Sequence, residues 1–237
     1  MLPPMLPPYS ILLLIFAVSI LLTVIYRLEK KMVWPYGEPE PLPRHGDPSG
    51  YGERWVKEAG AAGYRLLGWA PDIKGPTYRV SYAMMISPEQ DTIAIVGVGT
   101  VMNINLSGTW LHTPDVEGRS YFSTDNPAGL QMDISGNWKN QFAPQTTFQG
   151  LLKKHRDWLT SLSVTPRSFS KGNELAEFKS LREQHFHFME RAGLIRFTDG
   201  AATHFHFTWL GAARTATWAY FSGMARRVTF GRFPRTA

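Results

Sequence analysis

The run from Ile11 to Tyr26 most constrains what this chain can form, because its sixteen residues carry no charge. Only Ser19 and Thr23 interrupt the apolar side chains with hydroxyl groups. As an α-helix the run covers about 24 Å, close to the roughly 30 Å of a bilayer's hydrocarbon core. The sequence therefore predicts one N-terminal transmembrane helix, preceded by a proline-rich stub over residues 1–10.

A cleaved secretory signal peptide is the alternative interpretation of this run. Such a peptide needs a basic stretch before the apolar run and a small-residue cleavage site after it, and the sequence offers neither. Arg27, Lys30 and Lys31 follow the run, and basic residues beside a span stay on the cytoplasmic side. We therefore expect a single-pass protein of a bacterial inner membrane, with its N-terminus outside and its main domain in the cytoplasm.

The positive charge of the chain is concentrated at its C-terminal end. The 237 residues have a net charge of +6, and residues 204–237 hold five of the 25 basic residues and no acidic one. The other 20 basic residues nearly cancel the 19 acidic ones. A basic tail beside a membrane anchor predicts contact with anionic lipid or with an acidic partner surface. The absence of cysteine excludes disulfides and thiolate metal sites.

Residues 27–50 are predicted to form a juxtamembrane and proline-rich linker, since the stretch from Trp34 to Gly50 contains five prolines. Trp34 and Tyr36 would then lie near the inner headgroups, where Trp and Tyr are enriched. The linker leads into the first folded domain, which we expect over residues 51–165.

The fold class predicted for this domain is α+β. Turn clusters such as residues 87–91 and 115–119 suit hairpins, and hairpins favour an antiparallel sheet because parallel strands need crossovers of about a dozen residues or more. Amphipathic segments over Tyr51–Ala62 and Thr147–Leu162 predict helices packed on one face of that sheet. The predicted strands are Tyr64–Trp69, Tyr78–Ile86, Thr92–Val98, Asn103–Leu111 and Ser120–Thr124.

Residues 166–237 are predicted to form a separate C-terminal part. A helix over Glu174–Ala192 is stopped by Gly193, and a turn at residues 199–200 leads to a strand over Thr203–Trp209. This order, with the segments A-G-L-I-R-F and H-F-T, resembles the wing region of winged-helix proteins. The helix carries four glutamates that would repel phosphates, so we expect no nucleic-acid partner.

The aromatic stretch over residues 207–224 has three possible placements: in the membrane interface, in the domain core or across the bilayer. An interfacial position is favoured because a second span would carry basic residues to the outer face. The predicted membrane or partner contacts are Trp34, Tyr36, Trp209, Trp218, Tyr220, Phe221, Arg226 and Arg227.

Histidine forms the most unusual pattern, since the tetrapeptide H-F-H-F occurs at residues 185–188 and again at 204–207. On a strand, His204 and His206 face the same side and are weak candidates for a metal site, which would need a third ligand such as Asp199. Packing histidines are more common, and ligation of a tetrapyrrole by one of them is a further alternative. We predict no metal and no cofactor.

Catalytic motifs are not evident in the sequence, so we predict that the protein is not an enzyme. Gly97-Val98-Gly99 follows a strand but precedes another extended run, which does not fit a dinucleotide fingerprint, and we assign both glycines to a turn.

Eight tryptophans and fourteen phenylalanines exceed what one modest core hides, and such residues are enriched at interfaces. We expect an accessory or structural subunit of a larger membrane-protein assembly, for instance photosynthetic or respiratory, contacting integral membrane proteins and anionic lipid. The alternatives are a free-standing membrane-anchored binding or regulatory domain and, less favoured, an enzyme or a metal-binding protein.

Overall fold

The structure is a computed structural model that describes residues 8–47, 50–73, 78–101, 104–126 and 137–217. The chain divides into two compact units, which we call the sheet unit (Trp34–His185) and the terminal unit (Met1–Val33 with Phe186–Ala237). In chain order the elements are α1 (Pro8–Leu28), β1 (Lys31–Met32), α2 (Tyr51–Ala61), β2 (Arg65–Pro71), β3 (Tyr78–Ile86), β4 (Ile93–Val101), β5 (Ile104–Pro114), β6 (Ser120–Thr124), β7 (Trp138–Phe142), α3 (Phe148–Ser161), α4 (Glu174–Arg191), β8 (Ile195–Phe197), β9 (His204–Phe207) and α5, described over residues 209–217.

α1 is one continuous helix that includes the whole predicted apolar run, so the helical prediction is confirmed. The two hydroxyl side chains of the apolar run bond within the helix: the Ser19 hydroxyl donates to the Ile15 carbonyl at 2.9 Å, and the Thr23 hydroxyl donates to the Ser19 carbonyl at 2.7 Å. In the part of the chain that the structure describes, no helix has the combined length and apolar character that crossing a membrane requires. The predicted transmembrane span over residues 11–26 therefore has no support from these residues.

The sheet unit is built on one six-stranded sheet with the strand order β2-β3-β4-β5-β6-β7. The five predicted strands pair as antiparallel neighbours, and Gly118 takes the expected positive φ of 82° in the turn between β5 and β6. β7 escaped prediction and pairs with β6 in parallel, so the prediction of a wholly antiparallel sheet is wrong at this edge. The segment between these two strands, residues 125–137, has the length that a parallel connection needs.

Helices cover both faces of this sheet, which corrects the prediction that they pack on one face. Side chains alternate along β3, so that Ala83 and Met85 join one core cluster while Val80 and Tyr82 join another. α2 and α3 pack on the first cluster, and Phe178 and Leu181 of α4 belong to the second. Because β3 and β4 are apolar on both sides, each face must be covered, and the helix assigned to a separate C-terminal part covers the second one.

Gly97 and Gly99 lie inside β4 and not in the turn to which the sequence assigned them. A Cβ atom on Gly97 would lie 2.9 Å from the ring of Tyr82 and 3.0 Å from that of Trp110. At Gly99, where φ is +144°, a Cβ atom would lie 1.9 Å from the Arg79 carbonyl oxygen. Glycine is therefore required here because aromatic rings and a neighbouring strand occupy the space of a side chain.

The terminal unit contains a three-stranded antiparallel sheet with the order β1-β9-β8. Gly193, with a φ of +70°, ends α4 as predicted and leads into β8. Phe205 and Phe207 of β9 are buried, while His204 and His206 remain partly exposed. The Phe205 ring lies 4.8 Å from that of Phe186 in α4 and 5.5 Å from that of Phe207. The other buried apolar residues from 186 onward are Met189, Leu194, Ile195, Ala212 and Ala216.

Candidate membrane and partner surface

The end of α1 meets the start of α5 in the terminal unit. The rings of Tyr26 and Phe207 make an edge-on contact with centroids 6.3 Å apart. The guanidinium carbon of Arg27 lies 5.9 Å from the centre of the Trp209 ring, and the Lys31 ammonium lies 5.5 Å from that of Tyr26. These are cation–π distances, so Arg27 and Lys31 are held against aromatic side chains.

The position of α5 follows from its first residues. The Thr208 hydroxyl accepts a hydrogen bond from the Gly211 amide at 3.1 Å and donates one to the Gly193 carbonyl at 2.7 Å. This cap begins the helix and ties it to the end of α4. A Cβ atom on Gly211 would lie 1.9 Å from the Leu194 carbonyl oxygen, so only glycine allows this close approach.

Among the described residues of the terminal unit, seven large apolar side chains are exposed. Trp209 and Leu210, in the first turn of α5, have exposed fractions of 62% and 56%. The other five lie along α1: Phe16 at 65%, Ile20 at 49%, Leu21 at 59%, Ile25 at 48% and Leu28 at 71%. With about 100° of rotation per residue, these five side chains spread over about half of the helix circumference. We call the seven residues the apolar surface.

The predicted metal candidates have other contacts. His204 Nδ1 lies 3.2 Å from Asp199 Oδ2 and 2.9 Å from the Thr203 hydroxyl, while His206 Nδ1 donates to the Glu29 carbonyl oxygen at 3.2 Å. A hydrogen bond from the Thr203 amide, more than the histidine, holds the pKa of Asp199 below its usual value. Across the described ranges, no group of three or more ligating side chains is placed to hold a metal ion.

The two aromatic residues predicted to lie near headgroups are packed in the sheet unit. Trp34 contacts the Phe178 ring with centroids 5.6 Å apart, and Tyr36 contacts Tyr82 at 4.9 Å. Both remain half-buried, and they belong to the rim of the second core cluster. Of the remaining predicted contacts Trp209 is exposed as described above, while Trp218, Tyr220, Phe221, Arg226 and Arg227 lie outside the described residues.

The sheet unit contains a buried hydrogen-bond network that the sequence did not predict. His155 of α3 bonds through Nε2 to the Thr113 hydroxyl at 2.9 Å and through Nδ1 to the Ser123 hydroxyl at 2.7 Å. All three residues are fully buried, and burial lowers the histidine pKa to about 3. The contact of Ser123 with His155 has the distance of a nucleophile–base pair, but it is enclosed and ties α3 to the sheet. The sequence signal for it was a histidine on the apolar stripe of α3.

A second enclosed polar group lies on the other face of the sheet. The guanidinium carbon of Arg182 is 5.5 Å from the centre of the Trp138 ring and 5.9 Å from that of Tyr36, and burial lowers the arginine pKa. His185 stacks on Trp138 at 4.0 Å, and burial lowers its pKa to about 3. His112 is also fully buried, and neither of its ring nitrogens has a hydrogen-bond partner within the described ranges. These contacts fix α4 on the sheet through aromatic packing.

Tyr51 and Asp125 form a half-buried pair in which the tyrosine hydroxyl donates to Asp125 Oδ2. The Thr109 amide donates to the other carboxylate oxygen at 2.7 Å. Burial, reinforced for Tyr51 by the neighbouring carboxylate, raises the pKa of both groups. The pair connects α2 with β5 and the end of β6.

Comparisons with known proteins give no match to a protein-family model, to a curated protein or to a solved structure.

Proposed function

We propose that this protein is a membrane-anchored, non-catalytic accessory subunit of a larger membrane-protein assembly, for instance a photosynthetic or respiratory complex. In this proposal α1 inserts into a bacterial inner membrane with its N-terminus outside, and the main domain lies in the cytoplasm. Integral membrane proteins of the assembly and anionic lipid are the partners.

The observation that carries the proposal is the apolar surface. Contiguous exposed apolar patches of more than a few hundred Å² are rare on soluble monomers and mark contacts with proteins or membranes. The sequence extends the surface, since residues 11–14 (I-L-L-L) continue α1 toward its start, although their side chains lie outside the described part. A helix that is apolar over this length is covered most simply by lipid tails and by neighbouring helices.

The end of α1 supports the proposed orientation. Arg27, Lys30 and Lys31 follow the apolar run, and Trp209 packs on the first of them. Basic residues together with an exposed tryptophan are typical of the cytoplasmic boundary of a membrane. Protease added to the outside of intact cells should therefore leave the sheet unit uncut.

Alkaline carbonate extraction of membranes from the producing cells tests the anchor. The unchanged chain should stay in the membrane pellet. The double variant Phe16→Arg with Ile20→Arg should move to the supernatant, because both residues are exposed and lie near the centre of the proposed span, where each arginine costs about 2.5–3.5 kcal/mol on the insertion scale. Native gels of mild-detergent extracts test the assembly, where the unchanged chain should migrate with a large complex.

The matched control is Val116→Arg with Leu162→Arg, the same chemical change at two exposed apolar residues of the sheet unit. This control should remain in the pellet and in the complex. Release of the unchanged chain by carbonate contradicts the anchor. A small free species on the native gel contradicts the accessory role and favours the free-standing binding domain.

A further inference from the structure

The outer face of the three-stranded sheet in the terminal unit carries a row of basic residues. Arg196 of β8 is the direct antiparallel partner of His206 in β9. On the other side of β9, the pairing of Lys31 with Phe205 brings Lys30 level with His206. The hydrogen bond from His206 Nδ1 to the Glu29 carbonyl oxygen, at 3.2 Å, confirms this alignment. Directly opposed residues share one face, so these three residues form one row across the sheet.

The row points away from the core. Phe205 and Phe207 of β9 are buried, so His206 between them belongs to the opposite face. Lys30 and Arg196 are both exposed. Since neighbouring strands are about 4.8 Å apart, the backbones of Lys30 and Arg196 lie about 10 Å apart, and their long side chains can close on one group between them.

Nearby acidic side chains do not neutralise the row. Glu29 pairs with Lys31 at 2.6 Å, and Asp199 lies 3.2 Å from His204. Glu190 lies 3.9 Å from His187. Lys30 and Arg196 have no ion-pair partner among residues 8–47, 50–73, 78–101, 104–126 and 137–217. The row is therefore a cationic surface whose lysine and arginine form no ion pair with a described acidic side chain.

We propose that Lys30 and Arg196 bind the phosphate of an anionic lipid headgroup, with His206 between them. Three features select a lipid: the opposite charge of its phosphate, the start of the row two residues after Leu28 at the end of α1, and the exposed Trp209 and Leu210 in the same unit. Arginine suits the planar, bidentate contact with phosphate oxygens, and lysine supplies a point charge. The assignment rests on the proposed membrane anchor, which brings the row to the headgroup level.

Calorimetric titration of the full chain in neutral detergent micelles tests the row. The probes are short-chain phosphatidylglycerol, short-chain phosphatidylcholine and inorganic phosphate. Phosphatidylglycerol should bind, with an affinity that falls as salt rises, and the other two should not. The double variant Lys30→Gln with Arg196→Gln should bind it roughly 30-fold more weakly, since each basic group near an anionic surface contributes about 1 kcal/mol.

Two further variants control this titration. Lys57→Gln with Lys171→Gln removes the same charge from exposed sites of the sheet unit and should bind like the unchanged chain. Lys30→Arg with Arg196→Lys keeps both charges and should retain most of the binding, which separates charge loss from misfolding.

Equal phosphatidylglycerol binding by the double glutamine variant and the unchanged chain overturns the proposal. Inorganic phosphate that binds as well as the lipid overturns the assignment to a headgroup. Carbonate extraction tests the membrane anchor independently of lipid binding by the row. Release by carbonate with an intact preference for phosphatidylglycerol contradicts the anchor alone. Retention in the membrane pellet without that preference contradicts lipid binding by the row alone.

Discussion

The two units treat their large apolar side chains in opposite ways. The sheet unit buries them in clusters on both faces of one sheet. The five that are exposed among its described residues are scattered over separate segments: Leu42, Leu66, Ile73, Val116 and Leu162. The described part of the terminal unit exposes seven, although it has less than half as many residues as the described part of the sheet unit. Single exposed apolar residues are normal on any protein, whereas a series along one helix indicates a surface that another molecule covers.

The two units also differ in what their aromatic and polar side chains contact. In the sheet unit, aromatic and polar side chains make internal contacts, such as the hydrogen bonds of His155 and the stacking of His185 on Trp138. The terminal unit has a small core that includes Phe205, and seven large apolar side chains among its described residues are exposed. We therefore expect substitutions in the sheet unit to change stability and those on the apolar surface to change association.

The largest effect on stability is expected for Trp55→Ala. Trp55 is fully buried and packs on Tyr51 and Phe148, with ring centroids 4.9 Å and 6.2 Å away. Removing its ring leaves a cavity in the first core cluster and should lower the free energy of unfolding by about 3–5 kcal/mol. Denaturant unfolding of the full chain in neutral detergent, followed by circular dichroism, measures this change. A loss below about 1 kcal/mol would contradict the tight packing of this cluster.

A smaller effect for each residue is expected on lowering the pH. Unfolded histidine takes up a proton near pH 6.5, but burial holds the pKa of His155 and His185 at about 3. Their contribution to stability is therefore complete above pH 6.5 and is lost progressively as the pH falls toward 3. At pH 5 each histidine should lower the free energy of unfolding by about 2 kcal/mol.

Unfolding curves at about pH 7.5 and about pH 5, on either side of the ordinary histidine pKa of about 6.5, measure this loss. The same two curves are recorded for His155→Gln. The variant should show a smaller loss than the unchanged chain. His187→Gln is the matched control, because its ring is exposed, and it should keep the full pH dependence. An unchanged pH dependence in His155→Gln would mean that this histidine is not buried in its neutral form.

The smallest effect on stability is expected for Trp209→Ala. Its side chain is 62% exposed and its cation–π contact with Arg27 lies at the surface, where such a contact contributes about 0.5–1 kcal/mol. Denaturant unfolding in neutral detergent should show a loss below about 1 kcal/mol, while migration with the complex on native gels should weaken. A loss as large as that of Trp55→Ala would place Trp209 in a core and would remove the contrast between the units.

Local sequence patterns predicted much of the secondary structure. The strands Tyr78–Ile86 and Ser120–Thr124 were predicted to the residue, and the helix ending before Gly193 was predicted within one residue of its end. Periodicity, turn residues and helix stops act over a few neighbouring residues, so they can be read without knowing the fold. β7 escaped because its sequence, W-K-N-Q-F, has little apolar character and is defined by pairing with β6.

Part of the candidate surface could also be predicted from the sequence. The apolar run of α1, the basic residues that follow it and the exposed Trp209 were identified from composition and order alone. The row of Lys30, His206 and Arg196 was not, because these residues are far apart in the chain and only strand register places them side by side. Trp34 and Tyr36 were predicted to lie near headgroups from a proline-rich context, which gives no sign of their contacts with Phe178 and Tyr82.

The sequence by itself determined where this chain is helical, extended, apolar and basic, since each of these properties depends on residues that are close together. Only the tertiary structure decided which distant segments belong together: α4 on the second face of the sheet, and the first 33 residues with those from 186 onward. The physical reason is that burial depends on the total apolar area that segments remove from water together, and a local pattern shows that a face needs cover without showing which segment covers it.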